Sequence, residues 1–235
     1  MSNDDSNDTL INQKDKSRPS KVRRGFNQKQ HDKKQCFNKL KKFSTNGAGV
    51  VGGKLDSLRA EVKHTQANLV TLQETHSKRK GKIQLDNFVT FEAIRKAKGG
   101  GTLIASHKDL NPKLISEYED DFELLVVEIE VKDKQIRVIS GYGPQENWQE
   151  EKRMPFFLAL EIEIERAVNA GKSILIEMDA NTKLGPKYIF GDPHEMSSNG
   201  NILANIVERQ NLIVANGTST CKGSIKRKRV TKNRI

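Results

Sequence analysis

At residues 68–76 the sequence reads NLVTLQETH, an apolar, β-prone run that stops at a cluster of polar side chains. The run has the length of a buried strand. The segment before it carries Leu55, Leu58 and Val62 at helical spacing. We therefore predict a helix followed by a buried strand, with Glu74 just beyond the end of that strand.

Three more strand-like runs end in polar clusters. They lead into Asn46, into residues 141–144 (GYGP) and into residues 179–181 (DAN). If the four strands lie side by side and point the same way, their carboxyl ends surround one cleft. A carboxylate suits Mg²⁺, and an Asp close to an Asn can activate water while the amide holds a phosphate oxygen. The pattern favours metal-assisted phosphodiester hydrolysis.

The rest of the chain mixes short strands with helices, which favours an α/β sandwich of two sheets over a strictly alternating parallel sheet. The spacing of the apolar residues and the positions of the turn residues predict the remaining elements. These are strands at Phe88–Ile94, Thr102–Ala105, Ser173–Met178 and Leu212–Ala215, a hairpin of Glu123–Val131 and Gln135–Ser140, and helices over Trp148–Ala170 and from about Gly200.

The chain has 235 residues with 41 basic and 30 acidic side chains, and the basic excess lies at the two ends. Residues 1–42 hold 12 basic and 5 acidic side chains, residues 43–220 hold 22 and 25, and residues 221–235 hold 7 and none. We predict a disordered basic tail over residues 1–42 and one domain over residues 43–235. The basic ends fit a polyanion such as DNA, or are simply solvated. Arg95–Lys98 is more typical of a solvated loop than of a DNA clamp, although a loop beside the predicted cleft is where cations that contact the DNA backbone would lie.

Membrane and secreted classes are not favoured. No apolar run approaches the length of about 18 residues that spans a bilayer, and the first residues lack the layout of a signal peptide. Cys36 and Cys221 are too far apart in sequence to indicate a disulfide framework or a metal pair. We expect a nuclear or cytoplasmic protein with no membrane partner.

Residues 47–52 read GAGVVG, a literal GxGxxG followed by a helix and a strand, as in dinucleotide-binding proteins. That motif follows a buried apolar strand, whereas Ser44, Thr45 and Asn46 precede it here. Dinucleotide binding is therefore a minor alternative, and we expect no small-molecule cofactor.

Five motifs follow one another in an order typical of a known superfamily: residues 46–52, LQET (72–75), GGGT (99–102), GYGPQ (141–145) and MDAN (178–181). Over about residues 43–235 the chain resembles the endonuclease/exonuclease/phosphatase superfamily. It resembles in particular the apurinic/apyrimidinic-like endonuclease domain of non-LTR retrotransposon reverse transcriptases. The resemblance implies a four-layer α/β sandwich that nicks DNA with Mg²⁺ or Mn²⁺.

The resemblance also implies roles for five residues. Glu74 binds the metal, and Asn46 helps to hold the ligand set. Tyr142 contacts the scissile phosphate, Asp179 positions and activates the attacking water, and Asn181 binds the phosphate or the developing oxyanion.

The chain departs from the family pattern at several places. Gln145 stands where many relatives carry an Asn that touches the DNA backbone, and Ala48 stands where some carry an acid. Glu177 replaces a small residue and adds a charge beside Asp179. The family's late Asp strand and terminal Ser-Asp-His do not occur before Ile235, and none of the five histidines matches that motif.

We therefore expect a domain that lacks its final strands and is impaired in cleavage. The alternatives are a catalytically dead remnant that binds nucleic acid, or a phosphatase of the same superfamily.

Overall fold

The computed structural model describes residues 37, 39–47, 50, 53–95, 99–119, 122–189 and 192–216. Within these ranges the chain forms eight strands, three α-helices and one short 3₁₀ helix at Lys108–Leu110. In chain order they are β1 (Lys42–Asn46), α1 (Gly53–Thr65), β2 (Leu69–Gln73), β3 (Phe88–Ala93), β4 (Thr102–His107), β5 (Lys113–Tyr118), β6 (Glu123–Val131), β7 (Lys134–Tyr142), α2 (Glu150–Asn169), β8 (Ser173–Asp179) and α3 (Ser198–Arg209).

The strands form two four-stranded sheets. The first has the order β1-β2-β4-β3, and the second has the order β5-β6-β7-β8. β1 runs parallel to β2 and β7 runs parallel to β8, while the other neighbours are antiparallel. The four strands expected to lie side by side therefore belong to two sheets, with one parallel pair in each.

Three apolar clusters separate four layers. One lies between α1 and the first sheet, a second lies between the sheets, and a third joins the second sheet to α2 and α3. Leu58 and Val70 belong to the first cluster, Ile104 and Val138 to the second, and Phe156 to the third. The order of layers is helix, sheet, sheet, helices, so the predicted four-layer α/β sandwich is confirmed.

Local sequence explains where the helices begin and end. In α1, Asp56 lies in the first turn and Lys63 in the last, so both charges complement the helix dipole. The Ser197 side chain caps α3 by accepting a hydrogen bond from the backbone N–H of Gly200. Pro155 lies inside α2, which begins five residues before it.

The fold differs from the sequence prediction at three places. Residues 212–215 form no strand, so that prediction was wrong. β5 was not predicted, because its sequence KLISEY lies half exposed at a sheet edge and carries a bulge, which obscures the alternation. Phe37 and Leu40 pack against the cluster between the sheets, so ordered structure begins upstream of residue 43.

The rest of the predicted tail, residues 1–36, and the basic segment 221–235 lie outside the described residues. Among the helices that are described, none is both long enough and apolar enough to cross a membrane.

Candidate active site

The carboxyl ends of the two parallel strand pairs meet at one edge of the sandwich. In the first sheet Asn46 pairs with Gln73, so Glu74 follows directly at the same edge. In the second sheet Tyr142 pairs with Asp179. The polar residues expected to meet do so, but between two sheets rather than along one.

Two hydrogen bonds cross from sheet to sheet at this edge. The Tyr142 hydroxyl donates to Glu74 Oε1 at 2.6 Å, and Asn46 Nδ2 donates to Asp179 Oδ2 at 3.4 Å. Each bond joins one residue of the first sheet to one of the second. We refer to Asn46, Glu74, Tyr142 and Asp179 as the cross-sheet cluster.

A buried polar layer beneath the cluster links the two sheets. Gln73 Nε2 donates to Ser140 Oγ and to the carbonyl of Glu177, both at 3.2 Å. The hydroxyls of Thr102 and Ser140 hydrogen-bond at 2.8 Å. Gln73, Thr102 and Ser140 are all buried. Buried bonds of this kind are costly to break, so they hold the sheets at the spacing that the cluster requires.

The loop after β8 is tied to the end of β7 through Gly143. Its N–H donates to the carbonyl of Asp179 at 2.7 Å, and its carbonyl accepts from Asn181 Nδ2 at 2.7 Å. A Cβ at Gly143 would lie 2.7 Å from the carbonyl oxygen of Ala180. Only glycine allows this approach of two backbones, which explains the glycine between Tyr142 and Pro144.

Two of the site residues have left-handed backbone conformations. φ is +54° at Glu74 and +46° at Asn181. Such conformations are costly for residues other than glycine and persist where the surroundings impose them, often at functional sites. At Asn181 the backbone N–H donates to Asp179 Oδ1 at 3.1 Å, a local bond that favours this turn.

Tyr142 is held in its neutral form. It is 6% exposed. Burial, followed by its hydrogen bond to Glu74 and the charges of Glu74 and Asp179, raises the pKa of Tyr142 to about 12, although the amide of Asn181 acts in the opposite sense. The hydroxyl therefore remains a hydrogen-bond donor across the physiological pH range.

Arg95 packs against Tyr142 instead of lying in a solvated loop, while residues 96–98 lie outside the described residues. Its guanidinium lies over the rings of Tyr142 and Trp148, at 5.8 and 5.4 Å from their centroids. It also forms an ion pair with Glu123 at 2.7 Å, and the Glu123 side chain is 1% exposed. Burial raises the pKa of Glu123, while Arg95 and the N–H of Gly101 act to lower it. The buried ion pair of Arg95 and Glu123 therefore lies beside Tyr142.

The charge of Glu177 is not left isolated beside Asp179. Its carboxylate forms an ion pair with Lys42 of β1, which links the edge strands β1 and β8 in addition to the Asn46–Asp179 hydrogen bond. The charge that Glu177 adds beside Asp179 is therefore paired with that of Lys42.

Among the described residues, Gln145, His76 and His194 take no part in the cluster's hydrogen bonds. Gln145 lies in the turn after β7 with an exposed side chain, and its carbonyl accepts from the N–H of Trp148. His76 and His194 are exposed. Ala48 lies outside the described residues.

The oxygen donors of the cluster fit a hard divalent cation. Among the residues that the structure describes, no three His, Cys, Asp or Glu side chains are grouped to hold a metal. Mg²⁺, however, needs only one or two carboxylates together with water and phosphate oxygens. The half-buried carboxylate of Glu74 and the exposed amide of Asn46 supply that set.

The comparisons with known proteins bear on the fold. No protein-family model matches the chain. No curated protein matches it either.

Three solved structures share the fold at low sequence identity. The AP endonuclease LMAP from Leishmania major superposes with a TM-score of 0.59 at 15% identity, over 73% of this chain and 67% of that one. An AP endonuclease from Archaeoglobus fulgidus superposes with a TM-score of 0.54 at 16% sequence identity, over 73% of this chain and 71% of that one. The endonuclease domain of TRAS1, a telomere-specific non-LTR retrotransposon, superposes with a TM-score of 0.51 at 17% sequence identity. The superposition covers 73% of this chain and 71% of that one.

The chain therefore has the fold of the endonuclease/exonuclease/phosphatase superfamily. The resemblance to its endonucleases that the ordered motifs indicate is confirmed at the level of the fold.

Proposed function

We propose that this chain is an endonuclease domain that nicks DNA by phosphodiester hydrolysis with Mg²⁺ or Mn²⁺, of the kind carried by non-LTR retrotransposons. The observation that carries the proposal is the cross-sheet cluster, in which Tyr142 bonds to Glu74 and Asn46 bonds to Asp179. The fold shared with AP endonucleases and with the TRAS1 endonuclease domain supports it. A nuclear or cytoplasmic location belongs to the same proposal.

Glu74 and Asn46 would hold the metal ion. When bound, the ion supplies positive charge that stabilises the developing charge on the phosphate. Glu74 accepts the hydrogen bond from Tyr142 at Oε1, so Oε2 is the oxygen that this bond does not use. Tyr142, neutral at physiological pH, would donate its hydroxyl to a phosphate oxygen when substrate displaces this bond.

Asp179 would orient the attacking water and accept its proton as the P–O bond to the leaving oxygen breaks. Asn46 and the backbone N–H of Asn181 hold its two carboxylate oxygens, at 3.4 and 3.1 Å, which fixes the direction of that base. The amide of Asn181 carries two hydrogens, and one of them binds the carbonyl of Gly143. The other would donate to the phosphate.

The test is a nicking assay on supercoiled plasmid with the full chain, with Mg²⁺ and with EDTA. Glu74→Gln preserves the size and the acceptor for Tyr142 but removes the ligand charge, so we expect nicking to be lost. Glu195→Gln removes an exposed carboxylate in a loop and is the matched control. Nicking that survives Glu74→Gln would refute the metal assignment, and DNA binding without nicking in the unmodified chain would refute the catalytic proposal.

A further inference from the structure

A concave site lies at the end of the first sheet opposite the cross-sheet cluster. It is a cavity of about 760 Å³ lined by the residues that precede β1 and β2, the last turns of α1, and the ends of β3 and β4 that lie away from the cluster. Lys41 lines it, whereas Asn46 at the other end of β1 belongs to the cross-sheet cluster. Five strand residues span about 16 Å, so the two sites are separate.

The cavity is lined by more cations than acids. Lys39, Lys41, Arg59 and Lys63 line it, and Asp86 is the acid among its lining residues. Lys41 Nζ donates to Gln66 Oε1 at 2.7 Å, and Arg59 is paired with Asp56 at 3.0 Å. Lys39 and Lys63 are exposed and form no ion pair within the described residues. The excess positive charge is suited to an anion.

Aromatic rings and apolar side chains form the rest of the wall. Phe37 and Phe88 both contact the imidazole of His107 edge-on, with centroids 5.0 and 5.6 Å away. Burial lowers the pKa of His107, so the ring is neutral at pH 7. Val62 and Leu85 line the cavity below these rings. An apolar and aromatic wall beneath a cationic rim suits a flat ring that carries a phosphate.

We propose that this cavity binds a nucleotide unit of single-stranded nucleic acid, with the base against the aromatic wall and the backbone phosphates on Lys39 and Lys63. Sites for single strands combine cations that follow the backbone with side chains on which bases stack. The volume is within the range of cavities that hold small ligands, about 300–1,000 Å³. An acidic peptide would use the cations but not the rings. The site would hold a strand away from the cleavage edge.

The sequence adds an independent observation. Lys39 and Lys41 close the basic segment 1–42, which holds 12 basic and 5 acidic side chains. Each phosphate that Lys39 and Lys63 neutralise would release counterions, so binding should weaken as the salt concentration rises.

The test is the anisotropy of a fluorescein-labelled dT12 oligonucleotide titrated with the full chain in EDTA, where no cleavage occurs. Lys39→Glu/Lys63→Glu reverses the two rim charges. Lys113→Glu/Lys134→Glu makes the same change in net charge at exposed lysines of the second sheet and is the matched control. Ala60→Trp places a large ring in the cavity from an exposed position of α1 without changing any charge.

We expect Lys39→Glu/Lys63→Glu to weaken binding of the oligonucleotide about tenfold or more. The slope of log K for binding against log salt concentration should fall by about 1.4, because two phosphate contacts with a single strand are lost. Ala60→Trp should also weaken binding, while the control pair should bind like the unmodified chain. Equal loss in the control pair, or normal binding by Ala60→Trp, would overturn the proposal. So would tighter binding of a twelve-residue polyglutamate.

The outcome is independent of the proposed nicking activity. Lys39→Glu/Lys63→Glu should leave the rate of plasmid nicking at saturating DNA unchanged, because neither lysine lies at the cleavage edge. Loss of oligonucleotide binding with retained nicking supports the cavity, whereas a chain that never nicks but binds dT12 through Lys39 and Lys63 contradicts only the catalytic proposal.

Discussion

Tyr142 donates a 2.6 Å hydrogen bond to Glu74 across the gap between the two sheets. The residues are 68 positions apart in sequence, and each follows or ends a strand of a different parallel pair. The bond makes the geometry of the proposed metal ligand depend on how the sheets pack. Substitutions that disturb that packing should therefore reduce cleavage even where they touch no substrate.

Tyr142→Phe removes the hydroxyl and keeps the buried ring. We expect the rate of nicking at saturating DNA to fall about 10²-fold or more, since a preorganised donor to the phosphate is lost. DNA affinity should change less than the rate, because one neutral hydrogen bond contributes only about 0.5–1.5 kcal/mol to ground-state binding. Single-turnover nicking rates and DNA binding curves, measured separately, check this. A loss confined to affinity would contradict the role given to the hydroxyl.

Because the pKa of Tyr142 is raised to about 12, the free energy of unfolding should depend on pH in the alkaline range. The usual pKa of tyrosine is 10, so between pH 10 and 12 the unfolded chain has lost a proton that the folded chain retains. The contribution to stability is thus complete below pH 10 and is lost as the pH rises toward 12, by at most about 1.4 kcal/mol per pH unit. Urea unfolding at several alkaline pH values should show a shallower decline for Tyr142→Phe. Parallel declines for the two proteins would contradict the shift.

Arg95 should act as a positioning residue through Tyr142 and Trp148. Arg95→Met leaves the buried carboxylate of Glu123 without its cation, which costs about 3–5 kcal/mol in comparable pairs. That deficit should shrink as the pH is lowered, because the pKa of Glu123 is already raised by burial and protonation removes the unpaired charge.

The double variant Arg95→Met/Glu123→Gln separates stability from positioning. Without a buried charge it should regain most of the free energy of unfolding, yet its nicking should stay low because the cation over the Tyr142 ring is absent. Denaturant unfolding and nicking rates of the two variants provide the comparison. If nicking returns together with stability, Arg95 has only a structural role.

Gly143→Ala should displace the end of β8 and the loop after it, which carry Asp179 and Asn181, because the new Cβ would lie 2.7 Å from the carbonyl oxygen of Ala180. Gly171→Ala is the matched control. Gly171 has φ +65°, and a Cβ added there would meet no atom within 4 Å. The alanine should therefore lower the free energy of unfolding by about 1–2 kcal/mol through backbone strain alone, at a position beyond α2 and far from the cluster. We expect both variants to be destabilised but only Gly143→Ala to lose nicking, as melting temperatures and nicking assays would show. Equal nicking by both would contradict the contact.

Much of the fold was predictable because its elements carry strong local patterns. The α1 helix, the β6–β7 hairpin and the polar clusters after β2 and β8 lie where apolar period and turn residues place them. The ordered motifs then predicted that Asn46, Glu74 and Asp179 lie at one edge. The sequence could not show that two sheets contribute residues to this site. That fact depends on long-range pairing, which leaves no local pattern.

The supporting ion pairs were not predictable for the same reason. Arg95 and Glu123 are distant in sequence, and Arg95 stands in a basic, glycine-rich stretch that is typical of a solvated loop. Glu177 and Lys42 are farther apart still, and each looks like an ordinary strand charge. The burial that gives both pairs their importance arises only when the sheets face each other.

The most direct test of the cross-sheet cluster as a cleavage site is the nicking rate of Asp179→Asn on supercoiled plasmid in Mg²⁺. The amide keeps the shape and an acceptor for Asn46 but cannot take the proton of the water. We expect the rate to fall about 10²–10⁴-fold with DNA affinity preserved. A rate equal to that of the unmodified chain would show that this edge of the sandwich does not cleave DNA.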